Sequence, residues 1–280
     1  MTEARSVIST LRGCDRVFHV AAATNGSLAH QRHTNIEGTR CVVAAAAAQG
    51  IQRFVHVSTV AVYGYSRQGI ITEADPMTPG DEPYSTTKAE AERVVQQIAD
   101  ANRMPYSIIR PAMIYGPRSG MWTEKVFRLA SLRPTPWIGD GSGSAYPIYV
   151  DDVVDLMCVL ATHPAAVGET FNCAPDPSPT WRDYLGDYAR LKGHQAWLGI
   201  PFGLVYPVAR LIAALAPSQT ELKGASHVIN MLRQSKTYSM RQSKTYSMAK
   251  ARDRLGWSPQ VALADGIARS AIWLHEICRL

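Results

Sequence analysis

The 20 glycines of this 280-residue chain include no GxGxxG or GxxGxxG, so no glycine-rich turn of the kind that cradles phosphate can be read from it. There is no CxxC pair either. The five cysteines, Cys14, Cys41, Cys158, Cys173 and Cys278, are odd in number and widely spaced. That argues against a disulfide framework or a zinc site and for reduced, mostly buried thiols of a cytoplasmic protein. The opening MTEARSVISTLRGCDRVF is charged where a signal peptide needs an apolar run. No stretch is long and apolar enough to span a membrane. The nearest, residues 200–217, is interrupted by Pro207 and Arg210; it reads as a helix packed inside the protein, with contact at a membrane surface as the lesser alternative. Lys and Arg outnumber Asp and Glu by 29 to 23. They are scattered rather than gathered into a stripe, which argues against nucleic acid as a partner. His30 and His33 form an HxxH without a third ligand, so they read as surface or capping histidines and no metal is expected.

What is present is enough apolar material for a real core, 46% hydrophobic against 19% charged residues. Residues 15–22 (DRVFHVAA) and 53–58 (RFVHVS) are short apolar runs suited to buried parallel strands. Residues 34–49 form an Ala-rich helix stopped by Gly50, and residues 84–102 a long helix with Lys88, Glu90, Glu92 and Arg93 on its wet side. Residues 106–110 make a third strand closed by Pro111. Repeated alternation of strand and helix predicts a parallel sheet covered by helices. After Tyr115-Gly116-Pro117 the texture shifts to Pro, Gly and Trp, with a loop at 139–144 and a strand at 146–150. Asp151 or Asp152 then caps the next helix. From Thr180 the pattern is mainly helical. RQSKTYSM occurs twice in tandem, at 233–240 and 241–248. Two copies do not make a repeat architecture. The second leads into a helix with Ser247 as cap and Gly256 as stop.

One constellation carries chemistry. Tyr84 and Lys88 form a YxxxK at a helix start, four residues apart and therefore on one face. A phenol ionises near pH 10, and an ammonium beside it favours the phenolate and draws it toward the working range. Strand 53–58 ends in Ser58-Thr59, and a hydroxyl there faces the crevice where parallel sheets bind ligands.

With these pieces in order, the sequence resembles an extended short-chain dehydrogenase/reductase of the NAD-dependent epimerase/dehydratase group. The carriers are HVAA at 19–22, NIEGT at 35–39, VSTVAVYG at 57–64, YSTTK at 84–88, RPAMIYGP at 110–117, YVDDV at 149–153 and LGWSP at 255–259. The resemblance implies that Tyr84 is the acid/base, Lys88 its activator and Thr59 a partner of the substrate oxygen. It implies that Ala21, Ala22, Asn35, Ser58, Tyr84, Lys88, Pro111, Ala112 and Met113 line NAD or NADP. It implies an α/β fold whose Rossmann-type parallel sheet is incomplete, the first βαβαβ part with its glycine-rich loop being absent and the chain truncated relative to the family. Residues 1–117 would be the partial dinucleotide domain, with 146–175 returning to it; 118–145 and 176–280 would be the smaller substrate-binding part. Weak cofactor binding by the chain as given is the expected consequence. Met113 stands where similar sugar-nucleotide members carry Asn, and no Arg precedes the strand YPIYV. The pattern is therefore more similar to the 3β-hydroxysteroid dehydrogenase and dihydroflavonol reductase branch, acting on an apolar alcohol or ketone. A sugar-nucleotide epimerase or dehydratase with bound NAD, and a non-catalytic remnant or regulatory relative, stay open beside it. Pairing into a homodimer through the Tyr84 helix is implied by analogy.

Overall fold

A computed structural model describes residues 4–65, 67, 69–201, 204 and 244–278. In chain order its strands are β1 (Arg16–His19), β2 (Arg53–Val57), β3 (Gly69–Ile71), β4 (Tyr106–Pro111), β5 (Met113–Tyr115), β6 (Thr135–Ile138), β7 (Pro147–Tyr149), β8 (Glu169–Cys173), β9 (Trp197–Ile200) and β10 (Lys244–Tyr246). Its helices are α1 (Ala4–Thr10), α2 (Leu28–Gln31), α3 (Gly38–Ala48), α4 (Pro83–Ala101), α5 (Lys125–Ala130), α6 (Val150–Thr162), α7 (Trp181–Leu191), α8 (Ala249–Leu255) and α9 (Leu263–Cys278).

The central sheet has the order β1-β2-β4-β8 and is parallel throughout. Side chains alternate between its faces, and both faces are buried in its middle strands. Phe54 and Ile108 point into a core shared with Val42, Val43 and Ala46 of α3 and Val94 and Val95 of α4. Their neighbours Val55, Val57 and Ile109 point the other way, onto Leu156 and Leu160 of α6. A third core joins Phe127 of α5, Leu185 and Tyr188 of α7 and Ile267 and Leu274 of α9 beyond β5 and β7. The parallel register brings the C-terminal ends of β1, β2 and β4 to one edge, so that residues 20–23, 58–59 and 111–113 leave the sheet on the same side.

Several local expectations change. Asp152 is not a helix cap: α6 begins at Val150 without a side-chain cap, and the buried Asp152 carboxylate instead accepts the N–H groups of Gln260 at 2.9 Å and Val261 at 3.2 Å. Lys88 and Glu92 are not on the wet side of α4; both are buried. Positions 84, 88 and 92 share one helical face, and that face looks inward. Of the four cysteines whose side chains are described, Cys173 is buried, Cys41 half-buried and Cys14 and Cys158 exposed, and all four are unpaired. His30 and His33 are exposed. Ser247 is not the cap of α8: Met248 holds that position without a side-chain bond, and the Ser247 hydroxyl accepts from the N–H of Ala249 at 3.2 Å just before it; Gly256 ends α8 with φ at +65°, a conformation that favours glycine. The second RQSKTYSM copy supplies β10, which pairs in parallel with β3. The first copy, and nearly all of segment 200–217, lie outside the described residues. Among the described residues, no helix is long and apolar enough to cross a membrane.

Candidate active site

β2 runs out at Val57, and the chain turns sharply. Thr59 is extended, and its hydroxyl accepts from the N–H of Ala61 at 3.2 Å, starting a 3-10 turn over Val60–Tyr63. Gly64 follows at φ +77°; a Cβ there would collide with the carbonyl of Thr78, so only glycine lets the two segments approach this closely. The turn fixes Thr59 at the mouth of the sheet.

α4 starts beside it for local reasons. Pro83 occupies the first turn, where its missing N–H costs nothing. Glu82 caps the helix, its carboxylate accepting from Ser85 N–H at 2.6 Å and from Ser85 Oγ at 2.7 Å. Tyr84 therefore sits in the first turn, with its phenol near enough to the Thr59 hydroxyl to be drawn down by it. Burial pushes that phenol up to about 12, the Thr59 hydroxyl pulls it down, and neighbouring Tyr65 and Glu82 push it further up. This reverses the direction expected from the YxxxK spacing. The reason is visible one turn on: Lys88 is 2% exposed, and its Nζ donates to the carbonyl of Val57 at 2.7 Å. Burial draws the Lys88 ammonium down to about 8, with the Glu92 charge holding it up.

Glu92 is the residue the sequence reading missed. Its carboxylate takes two bonds from Arg110, Nε at 3.0 Å and Nη2 at 2.6 Å, and a short bond from Ser58 Oγ. Arg110 Nη1 also donates to Tyr63 Oη at 2.7 Å, which in turn donates to Asn172 Oδ1 at 2.8 Å. One carboxylate thus ties the ends of β2 and β4 to α4. The signal was available: Glu92 lies eight residues after Tyr84, on the same helical face.

The other expected residues fall into two groups. Asn35 is buried, and its amide accepts from Ala23 N–H at 2.7 Å and donates to Ala23 O and Thr87 Oγ1, each at 3.0 Å. It pins the segment after β1 to α4, where Ala21 is exposed and Ala22 half-buried. Pro111 is buried within β4; Ala112 and Met113 are half-buried, anchored through their N–H groups to Cys173 O and Tyr146 O, both at 2.9 Å. Ser58 faces Glu92 rather than open space.

Whether a nicotinamide dinucleotide suits this place can be judged from the donors. An ammonium carries three N–H groups, and Lys88, one helical turn after Tyr84, uses one on Val57 and leaves two. With Thr59 near Tyr84 at the sheet mouth, these groups fit the nicotinamide-ribose end of such a cofactor.

A mouth of parallel strands lined by Thr, Tyr and Lys defines a dinucleotide-dependent enzyme of Rossmann type. Residues 1–174 match the family model of the NAD dependent epimerase/dehydratase family, and the chain belongs to that family. It is 28% identical to the 3beta-hydroxysteroid-dehydrogenase/decarboxylase isoform 1 of Arabidopsis thaliana, over 94% of this chain and 63% of that protein. It therefore spans less than two thirds of that relative's length. It is 30% identical to the UDP-glucose 4-epimerase of Mycolicibacterium smegmatis, over 91% of this chain and 74% of the relative. The fold is similar to that of the UDP-glucuronic acid 4-epimerase of Bacillus cereus in complex with NAD, with a TM-score of 0.75 at 21% identity, covering 97% of this chain and 78% of the other.

Proposed function

We propose that this chain moves a hydrogen between a CH–OH or C=O group of a largely apolar small molecule and NAD or NADP. The observation that carries this reading is the Thr59–Tyr84 hydroxyl pair at the mouth of the parallel sheet, with Lys88 one helical turn along. When bound, the nicotinamide ring supplies the hydride acceptor or donor. The protein's own groups do the rest. Thr59 holds the substrate oxygen in line by replacing one of its present bonds. Tyr84, whose phenol stays protonated in the free chain, gives its proton to a carbonyl oxygen in the reductive direction; in the oxidative direction it first loses that proton to solvent, and the phenolate then takes up the proton of the alcohol. Lys88 would hold the ribose with its two spare donors, and it keeps a positive charge below pH about 8 for the phenolate to lean on. Asn35, Ala21, Ala22 and the segment from Pro111 to Met113 form the walls.

The apolar substrate is supported by Met113, which packs on the aromatic-rich core with Trp122 and Trp181 and offers no polar group to a diphosphate. A second reading, a sugar-nucleotide epimerase, is favoured by the likeness to the Mycolicibacterium enzyme. One experiment separates them. The chain is incubated at millimolar NAD+ or NADP+ with a 3β-hydroxysteroid, and separately with UDP-glucose. Growth of absorbance at 340 nm with the sterol alone is the expected result. Conversion of UDP-glucose without net reduced dinucleotide would move the assignment to the epimerase.

A further inference from the structure

A second cleft lies between α7 and the two-stranded ribbon of β6 and β9, and none of the residues that line it belongs to the Tyr84 site. It encloses about 170 Å³, with Trp137, Arg182, Gly186, Arg190, Gln195 and Trp197 among its walls. That volume is below the range of drug-sized sites and suits a ligand of one ring. The Trp137 and Trp197 rings stand 5.2 Å apart, and the Arg182 guanidinium covers both, 5.9 Å and 5.2 Å from their centres. Arg182 Nη2 also donates to the carbonyl of Asp140. Held on two indoles and a carbonyl, this planar cation is already ordered for an arriving anion. Trp197 is 50% exposed, so one indole remains open to a second ring.

Two further features of the cleft are unexplained by the protein's own packing. Trp137 is 6% exposed, yet its buried indole Nε1 has no acceptor among the described residues. Leaving a buried donor unmade is costly, and an oxygen brought into the cleft that this ring lines would supply the acceptor. The second feature is Gly186. Arg182, Gly186 and Arg190 follow one another at intervals of four, on one face of α7. Glycine inside a helix weakens it relative to alanine. Here no positive φ requires it, and a Cβ would meet only Arg190 Nη1 at 3.7 Å, an ordinary contact. What a side chain at 186 would fill is the cleft. Beyond it stands Arg190, whose guanidinium is shared with Asp187 of the same helix.

We propose that this cleft is a binding site for a small anion built on one aromatic ring, the ring stacked on Trp197 and its carboxylate or phosphate held by Arg182 and Arg190. The site stands apart from the Thr59, Tyr84 and Lys88 constellation and does not depend on the hydride-transfer reading.

The test needs neither turnover nor dinucleotide. Calorimetry on the native chain compares benzoate and phenyl phosphate with acetate, which lacks the ring, and with benzyl alcohol, which lacks the charge. One ring anion should bind about tenfold or more tighter than either control, and its identity tells carboxylate from phosphate. Gly186→Leu puts a side chain into the cleft and a better helix former into α7. Its melting temperature should hold or rise while affinity for that anion falls about tenfold or more. Arg182→Gln should lose affinity to a similar degree, and Tyr84→Phe should keep it. Equal binding of all four probes, or native affinity in Gly186→Leu, would overturn the proposal. Loss of binding in Tyr84→Phe would also overturn it, by placing the anion in the crevice at the sheet mouth. Should Gly186→Leu fail to fold, Arg182→Gln decides, native affinity there being the contrary result.

Discussion

Glu92 accepts from Arg110 and Ser58 at once and stands one turn from Lys88, so a single buried carboxylate affects both stability and chemistry. Removing one member of a buried ion pair leaves the other charge stranded, at a cost of about 3–5 kcal/mol. Glu92→Leu should therefore lose most of the fold's stability in denaturant titration, while Glu92→Leu with Arg110→Met should regain much of it. A double variant as unstable as the single would show that the pair is not the source. Glu92→Gln has a second consequence. The Glu92 charge holds the Lys88 ammonium up, so its loss lowers the pH at which Lys88 gives up its proton. Activity that depends on the cation should fall above pH about 8 in the native chain, and that alkaline limb should move to lower pH in Glu92→Gln. An unmoved limb would separate Glu92 from the site. Tyr84, Lys88 and Thr59 were legible in the sequence because spacing on a helix and position at a strand end follow from local rules. Glu92 was misread because a charged residue on a helix looks wet unless its inward partner, here Arg110 on a distant strand, is known.

At the scale of elements, β1 and β2 carry an acid-sensitive pair. His19 stacks on His56 with ring centres 5.5 Å apart, and neither ring nitrogen of His56 has a partner. Burial first and the Lys88 charge second pull His19 down to about 4 and His56 below its ordinary value. The unfolded chain takes up these protons near pH 6.5, the folded chain only at lower pH. Stability is therefore intact above pH 6.5 and drains away as the pH falls toward 4, with His19 alone worth about 3 kcal/mol. Denaturation midpoints should drop across that window, and His19→Gln with His56→Phe should flatten the drop. An equally steep fall in the double variant would place the acid sensitivity elsewhere. The strands themselves were legible from short apolar runs, and the long helix from its length and Pro83. The small pairings β3–β10 and β6–β9 were not, because their partners lie far apart in the chain and three or four residues carry little periodicity.

Across the whole molecule, two of the three cores lie on the two faces of the central sheet, and one edge of it stays uncovered among the described residues. β1 pairs only with β2, and Phe18 on its outer face is 43% exposed. An exposed apolar edge strand invites pairing with a second chain. The chain should self-associate with rising concentration in sedimentation velocity, and Phe18→Lys should suppress this; equal association in the variant would exonerate the edge. The placing of Lys244 over the rings of Tyr65, Tyr146 and Tyr246 was not legible in the sequence, since only the folded chain brings these residues together.

The proton role of Tyr84 is tested most directly by the rate of dinucleotide reduction at 340 nm, at millimolar NAD+ or NADP+ with the best alcohol found, in the native chain and in Tyr84→Phe. The variant keeps the ring and loses one oxygen. A fall of about 10²–10⁴-fold with the fold intact by circular dichroism is expected. Turnover in Tyr84→Phe equal to that of the native chain would contradict the mechanism.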